Sequence, residues 1–304
     1  MIKVLHHNDM DGIGAAAVIS HINRGDNMEI EYISCDYSKN PVTSDLGDRE
    51  DLDGIYIVDL SFTKNTIHTL YEIMDKYDCP VTWIDHHTSS VNLIKDLEND
   101  EKFDKYCNVF CSLDHFISSE FSGAYLTWVY FHKVGIIESN EVPYALQLID
   151  DYDRWQFKRG INTKYFELGF YANRDLKYPD SELWDDIFDD KSPAITDIIV
   201  RGSYIYDYLM NHYESYRKAN AYESTICGIK CICINYKVNS WIFGELYDEY
   251  PVCVAYVFDG KNYNYSIYSN PKFADTVNCA EIAEQFGGGG HVGAAGFKTE
   301  ERVV

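Results

Sequence analysis

Four short apolar runs in the first third of the chain each stop at a polar cluster. Ile2–Leu5, Glu29–Ser34, Gly54–Leu60 and Pro80–Asp85 read as strands. Between them, Gly14–Ile22 is Ala-rich with a helical pattern. Thr63–Tyr77 carries apolar residues at helical spacing, with Thr63 as its expected N-cap. Strands separated by helical stretches predict a mostly parallel sheet. From residue 118 to 151 the pattern turns helical, over Ser122–Val134 and Val142–Ile149, whereas Lys158–Tyr178 follows no clear period. Ser192–Ala219 predicts one long helix. Short β-rich runs follow at Cys227–Tyr236, Tyr250–Asp259 and Asn262–Ser269, then a helix at Cys279–Phe286 and the glycine-rich stretch Gly287–Phe297. The expectation is an α/β protein: a parallel-sheet domain over 1–191, a connector helix over 192–222 and a smaller α/β domain over 223–304.

Where the strands stop is chemically uneven. The first ends in His6, His7, Asp9 and Asp11, the third in Asp59, and the fourth in Asp85, His86 and His87. A later helix runs into Asp150, Asp151 and Asp153. Each cluster alone has an ordinary explanation: a solvated turn, a strand end, a helix C-terminus or a surface histidine pair. Together, each at an element boundary, they converge on the carboxyl edge of a parallel sheet, where ligands gather in open α/β folds. Burying several carboxylates side by side is costly unless cations accompany them. Oxygen donors with a few imidazoles suit Mn²⁺ or Mg²⁺ better than a structural zinc. Two such ions sharing a carboxylate can activate water and clamp a phosphoryl displacement. One histidine of the Asp85–His87 cluster then serves as ligand, while Asp85 and the second histidine orient it or contact phosphate. Side chains alternate along a strand, so His7 rather than His6 shares a side with Asp9. His21, His68, His115, His132 and His212 fall outside this edge and read as structural or exposed.

Charge narrows the substrate. A net charge of −23 over 304 residues repels long polyanions and argues against extended duplex binding. It leaves room for a small anion held by metal ions. No apolar run approaches a membrane span and the start has no signal-peptide layout, so a soluble, cytoplasmic protein is expected. The nine cysteines sit mostly in apolar runs and read as buried small hydrophobes, Cys227, Cys231 and Cys233 lacking zinc-type spacing.

The segments HNDMDG (His7–Gly12), VDLS around Asp59, IDHH (Asp85–His87) and IDDYDRW (Ile149–Trp155) resemble the four motifs of DHH phosphoesterases. FGGGGHVGAAGF resembles the signature of the associated DHHA1 domain. The resemblance spans residues 7 to 297 and implies a DHH domain with two divalent ions, Mn²⁺ first, with Mg²⁺ or Co²⁺ as alternatives. A DHHA1 domain would supply substrate contacts. By position, His7 and Asp9 would hold one ion and Asp11 and His86 the other. Asp59 would bridge them, and one of the Asp150–Asp153 carboxylates, with Asp151 favoured, would complete the set. Asp85 and His87 carry the catalytic expectation. Gly288, Gly289 and Gly290 would let backbone approach a phosphate, with His291 donating to it. Tyr268 stands where many DHHA1 domains carry an arginine; it could stack on a base or bond a phosphate, but packing is its default role in a chain with 26 tyrosines. With the short HNDMDG motif and IDDYDRW, the tyrosine version resembles the nano-RNase branch more than the arginine-bearing ones. The implied activity is hydrolysis of short single-stranded oligonucleotides to mononucleotides. A cyclic dinucleotide or a 3′,5′-bisphosphorylated nucleoside is the alternative substrate, with a long-strand exonuclease or a non-catalytic nucleotide-binding module behind them. A homodimer is compatible with this reading.

Overall fold

The computed structural model describes residues 1–25, 28–35, 46–47, 51–97, 100–109 and 112–304. By its internal contacts the chain divides into two compact units, Met1–Ile205 and Tyr206–Val304.

In the first unit, five strands form one wholly parallel sheet: β1 (Ile2–His7), β2 (Ile30–Cys35), β3 (Gly54–Val58), β4 (Val81–Asp85) and β5 (Leu113–Ile117). Their order across the sheet is β2-β1-β3-β4-β5. The chain steps outward from β1 to β2 and then back across to β3. The carboxyl ends of β1 and β3 therefore flank the point where strand order reverses, the usual place for a ligand in an open sheet.

Helices cover both faces, which is why the inner strands are apolar without alternation. On one face α1 (Met10–Ile22) packs with the later helices of the unit, burying Val4, Val58 and Ile84 among Ala15, Ala16, Ala17, Ile149 and Trp184. On the other face α2 (Ile67–Lys76), α3 (Thr88–Leu97) and α4 (Glu101–Asp104) cover Leu5, Ile57, Val81 and Trp83. The remaining helices of this unit are α5 (Gly123–Lys133), α6 (Tyr144–Asp153), α7 (Ile161–Ala172) and α8 (Leu183–Phe188), followed by the long α9 (Ala194–Asn220).

Several boundaries differ from the sequence reading. Helix α2 begins at Ile67, one turn later than expected, because the Thr63 amide is taken by Thr66 Oγ1 in a preceding turn and Thr63 does not cap the helix. Helix α1 begins earlier, at Met10, with Asp9 as its cap. The aperiodic stretch 158–178 contains α7, and β5 and α3 lie outside the elements expected. The division into units falls inside α9, so the helix read as a connector lends residues to both.

The second unit is a six-stranded sheet ordered β10-β11-β9-β8-β7-β6. Its strands are β6 (Tyr222–Ile226), β7 (Ile229–Asn235), β8 (Val252–Phe258), β9 (Tyr263–Tyr268), β10 (Gly289–His291) and β11 (Ala294–Thr299). Between β7 and β8 lies the short α10 (Leu246–Glu249), and α11 (Cys279–Glu284) precedes β10. Only the β7–β8 pair is parallel. Alternation gives the sheet two apolar faces. Cys231, Cys233, Val252 and Val254 face α11, while Ile232, Ile234, Cys253 and Ala255 face Tyr213, Ile242 and Phe243. Cys231 and Cys233 are thus core residues, as expected. Among the described residues, no helix is long and apolar enough to cross a membrane.

Candidate metal centre

The turn leaving β1 is folded tightly by its own carboxylate. Asp9 Oδ1 accepts the Gly12 amide at 2.9 Å, capping α1, while Oδ2 lies 2.8 Å from His7 Nδ1. Gly12 is needed because any Cβ there would run into the His7 backbone. His6 points elsewhere: it is buried and its Nδ1 donates to the His7 carbonyl at 2.8 Å.

At the end of β3 the backbone of Asp59 enters the left-handed region, with φ of 53°. This turn sets its carboxylate between two groups of side chains. Oδ2 lies 3.7 Å from His7 Nδ1, and Oδ1 lies 3.2 Å from His86 Nε2. The first group is His7, Asp9 and Asp59. The second is Asp11, His86 and Asp153, with His86 Nε2 at 3.6 Å from Asp11 and 3.5 Å from Asp153. Beneath them Asp85, fully buried, accepts a hydrogen bond from His87 Nδ1 at 2.7 Å and fixes that ring.

Asp11 is also held from above. The Gly123 and Ala124 amides at the start of α5 donate to its two oxygens at 2.6 and 2.9 Å. The helix comes this close only because residue 123 lacks a side chain, since a Cβ there would sit 2.7 Å from Asp59 Cβ.

Electrostatics sorts these groups. Burial pushes Asp59 well above the carboxylate range, and the neighbouring Asp11 adds to it. Burial also raises Asp11, against the opposing pull of His86. Asp153 is raised by burial and by Asp11. For His7, burial is outweighed by hydrogen bonds to Asp59 and Asp9, and its pKa rises to about 10. His86 rises because Asp11 and Asp153 overcome its burial, and His87 because Asp85 does. Asp9 and Asp85 are lowered, because in each the bond to a histidine outweighs desolvation. Apart from histidines, no cationic side chain pairs with Asp9, Asp11, Asp85 or Asp153 among the described residues.

This is a site short of positive charge. Carboxylates that burial and mutual repulsion drive toward protonation, interleaved with imidazoles, fit divalent cations with oxygen and nitrogen donors. The two triads, joined through the two oxygens of Asp59, fit a pair of them.

Asp151 is not part of the cluster. Its carboxylate accepts the Lys158 and Arg159 amides at 2.7 and 2.9 Å and the Thr163 hydroxyl at 2.5 Å, closing the loop between α6 and α7. Asp153 takes the place expected of it. The helix period carries that information: Ile149 packs its Cδ1 toward Gly14 of α1, and Asp153, four residues on, shares that face. The sequence reading also omits the amides of Gly123 and Ala124, whose only hint is a small Ser-Gly pair at a helix start.

In the second unit the end of the glycine run, Gly289–His291, forms an edge strand. Gly289, Gly290 and His291 pair with Gly296, Ala295 and Ala294. The Gly288 amide is already bonded to the Ala283 carbonyl at 2.9 Å, which removes it from any anion-binding set. Gly289 and His291 are exposed. Tyr268 does not offer its hydroxyl to a ligand, because that group donates to the Val238 carbonyl at 3.1 Å beside Phe243.

No family model and no curated protein matches the chain. Solved structures do. One, described as the DHH domain of a member of a family of ribosomal proteins, is 14% identical with a TM-score of 0.56, covering 97% of this chain and 82% of its own. A pGpG-specific phosphodiesterase, PggH from Vibrio cholerae, is 14% identical with a TM-score of 0.48, over 99% of this chain and 94% of its own. The exonuclease RecJ bound to manganese is 13% identical with a TM-score of 0.49, over 99% and 86%. The first of these shows that the chain shares the fold of a DHH-domain protein.

Proposed function

We propose that the protein is a divalent-metal-dependent phosphodiesterase that cleaves short single-stranded oligonucleotides into mononucleotides. The observation that carries this reading is the Asp59 carboxylate, whose two oxygens face two separate ligand groups, toward His7 and toward His86. His7, Asp9 and Asp59 would hold one cation, and Asp11, His86, Asp153 and Asp59 the other, with Mn²⁺ as the first candidate. When bound, the pair would supply Lewis-acid polarisation of a phosphodiester and an acidified water.

The chain's own side chains do the rest. Asp85 holds His87 by Nδ1 and favours its charged form, so Nε2 is the ring atom that addresses a phosphate oxygen. The Gly123 and Ala124 amides keep Asp11 in place, as outer partners of ligands commonly do. In the second unit, the exposed edge at Gly289–His291 is the proposed phosphate contact. The strongly acidic chain favours a substrate with few phosphates.

A turnover panel in Mn²⁺ tests this, running from dinucleotides to long oligonucleotides beside a cyclic dinucleotide and a 3′,5′-bisphosphorylated nucleoside. Turnover that is fastest on two- to five-residue strands is the expected result. Preference for either other substrate would redirect the reading within phosphoester hydrolysis, and binding without turnover of any of them would overturn it.

A further inference from the structure

Behind the N-terminus of α5 lies a recess of about 390 Å³ that the metal cluster does not use. That volume falls within the range of small-ligand sites, about 300–1,000 Å³. Its lining is unusual for so acidic a chain. Arg154, Lys158 and Arg159 all line it, beside Gln147 and Gln156.

The carboxylates on its wall are mostly spoken for. Asp150 accepts the Ser122 amide at 2.7 Å and lies 3.4 Å from Arg154. Asp151 is saturated by two amides and a hydroxyl. Arg154 is further tied to the Glu120 carbonyl. Lys158 and Arg159 are exposed, and neither forms an ion pair among the described residues, with Glu120 the one carboxylate left beside them. Two adjacent unpaired cations run against a sequence with 26 basic and 49 acidic residues.

The lining is also aromatic. Phe121 and Tyr125 stack with centroids 4.1 Å apart and planes 7° from parallel, and Arg154 lies 5.8 Å from the Phe121 centroid. An aromatic surface and two free cations in one recess match a planar base joined to a phosphate, since aromatic faces stack on bases whatever their sequence.

Position ties the recess to the cluster. Three consecutive amides divide between them: Ser122 donates to Asp150 on the recess wall, and Gly123 and Ala124 donate to Asp11. The two sites share one helix terminus.

We propose that this recess binds one nucleotide unit, its phosphate between Lys158 and Arg159 and its base against the Tyr125–Phe121 stack. The inference rests on the function proposed above, where it supplies the seat for a nucleotide next to the bond that is cut.

The test is binding rather than turnover, so the two readings fail separately. Adenosine 5′-monophosphate and inorganic phosphate are titrated calorimetrically into the full chain in EDTA, where metal-anchored phosphate contributes nothing. One saturable site for the nucleotide is expected, with inorganic phosphate weaker. Lys158→Gln/Arg159→Gln should weaken both at least tenfold. Tyr125→Leu should weaken the nucleotide and leave inorganic phosphate unchanged. No saturable nucleotide binding, or binding indifferent to the double variant, overturns the proposal whatever the turnover panel shows. Indifference to Tyr125→Leu overturns the placement of the base.

Discussion

At Asp59 the chain accepts a backbone conformation that costs most residues free energy, with φ of 53°, in order to aim one carboxylate at two groups. Asp and Asn tolerate this region better than other non-glycine residues, so Asp59→Asn changes charge without changing the turn. Metal content should fall below one ion per chain by elemental analysis. Turnover should drop by roughly three orders of magnitude, the scale seen when a group acting on transition-state charge is removed. The melting temperature in EDTA should not fall, because the substitution relieves a carboxylate crowded by Asp11 and Asp9. Unchanged metal content would remove Asp59 from the centre. The neighbouring aspartates of α6 make the complementary case. Asp153→Asn should cost metal and turnover with little effect on the fold. Asp151→Asn should do the reverse: turning an amide toward the Lys158 and Arg159 N–H groups costs about 1–3 kcal/mol for each donor left unsatisfied. Denaturant melts and metal analysis on the two variants separate a ligand from a loop clasp. Equal loss of metal in both would mean that the α6 terminus acts as a unit.

Elements matter here mainly through how close their ends come. Helix α5 reaches the cluster because Gly123 leaves room for Asp59, so Gly123→Ala should push the helix terminus away from Asp11. A weaker Mn²⁺ affinity, by about tenfold, and a lower melting temperature are the expected outcome, read by metal titration and calorimetry. An unaltered affinity would show that the two amides do not position Asp11. The same geometry explains what is legible in the sequence. His7, Asp9, Asp59, Asp85 and the two following histidines lie at strand ends, and apolar runs mark strand ends well. Their convergence follows from a parallel sheet alone. The sequence favours Asp151, whereas the structure puts the Asp153 carboxylate in the cluster, because adjacency says little about which side of a helix terminus a residue occupies; packing against α1 decides it. Gly288 departs from expectation for a local reason: its amide closes the end of α11 on the Ala283 carbonyl. The next residues, Gly289–His291, pair with β11, a contact that composition does not show. Helix α7 is hidden because its buried face mixes Thr163 and Gly169 with Phe166 and Phe170, while the apolar Ile161 and Tyr171 are exposed.

Considered whole, the molecule carries two electrostatic burdens that respond differently to pH. The net charge of −23 acts on the entire surface and weighs on the fold equally with or without metal. The centre is local. In the metal-free fold Asp11, Asp59 and Asp153 are raised by burial and by one another, and His7 stands at about 10. The folded state therefore holds protons that the unfolded chain has released. Groups of this kind stabilise the fold at low pH, and that stability is lost as pH climbs from the ordinary carboxylate range toward the raised values. For His7 the loss extends to pH near 10. Asp9 and Asp85, lowered by their histidines, shift the opposite way, but their contribution is already complete above the ordinary carboxylate range. Metal binding requires the ligands to lose those protons, so its affinity rises over the same interval. The melting temperature in Mn²⁺ minus that in EDTA should accordingly widen between about pH 5.5 and 8.5, by about 2–4 °C for each kcal/mol of linkage in a chain of this size. Scanning calorimetry in paired buffers measures the difference directly and cancels the surface term. A gap that stays constant or narrows would mean that the cluster does not exchange protons for metal, and the centre would have to be sought elsewhere in the chain.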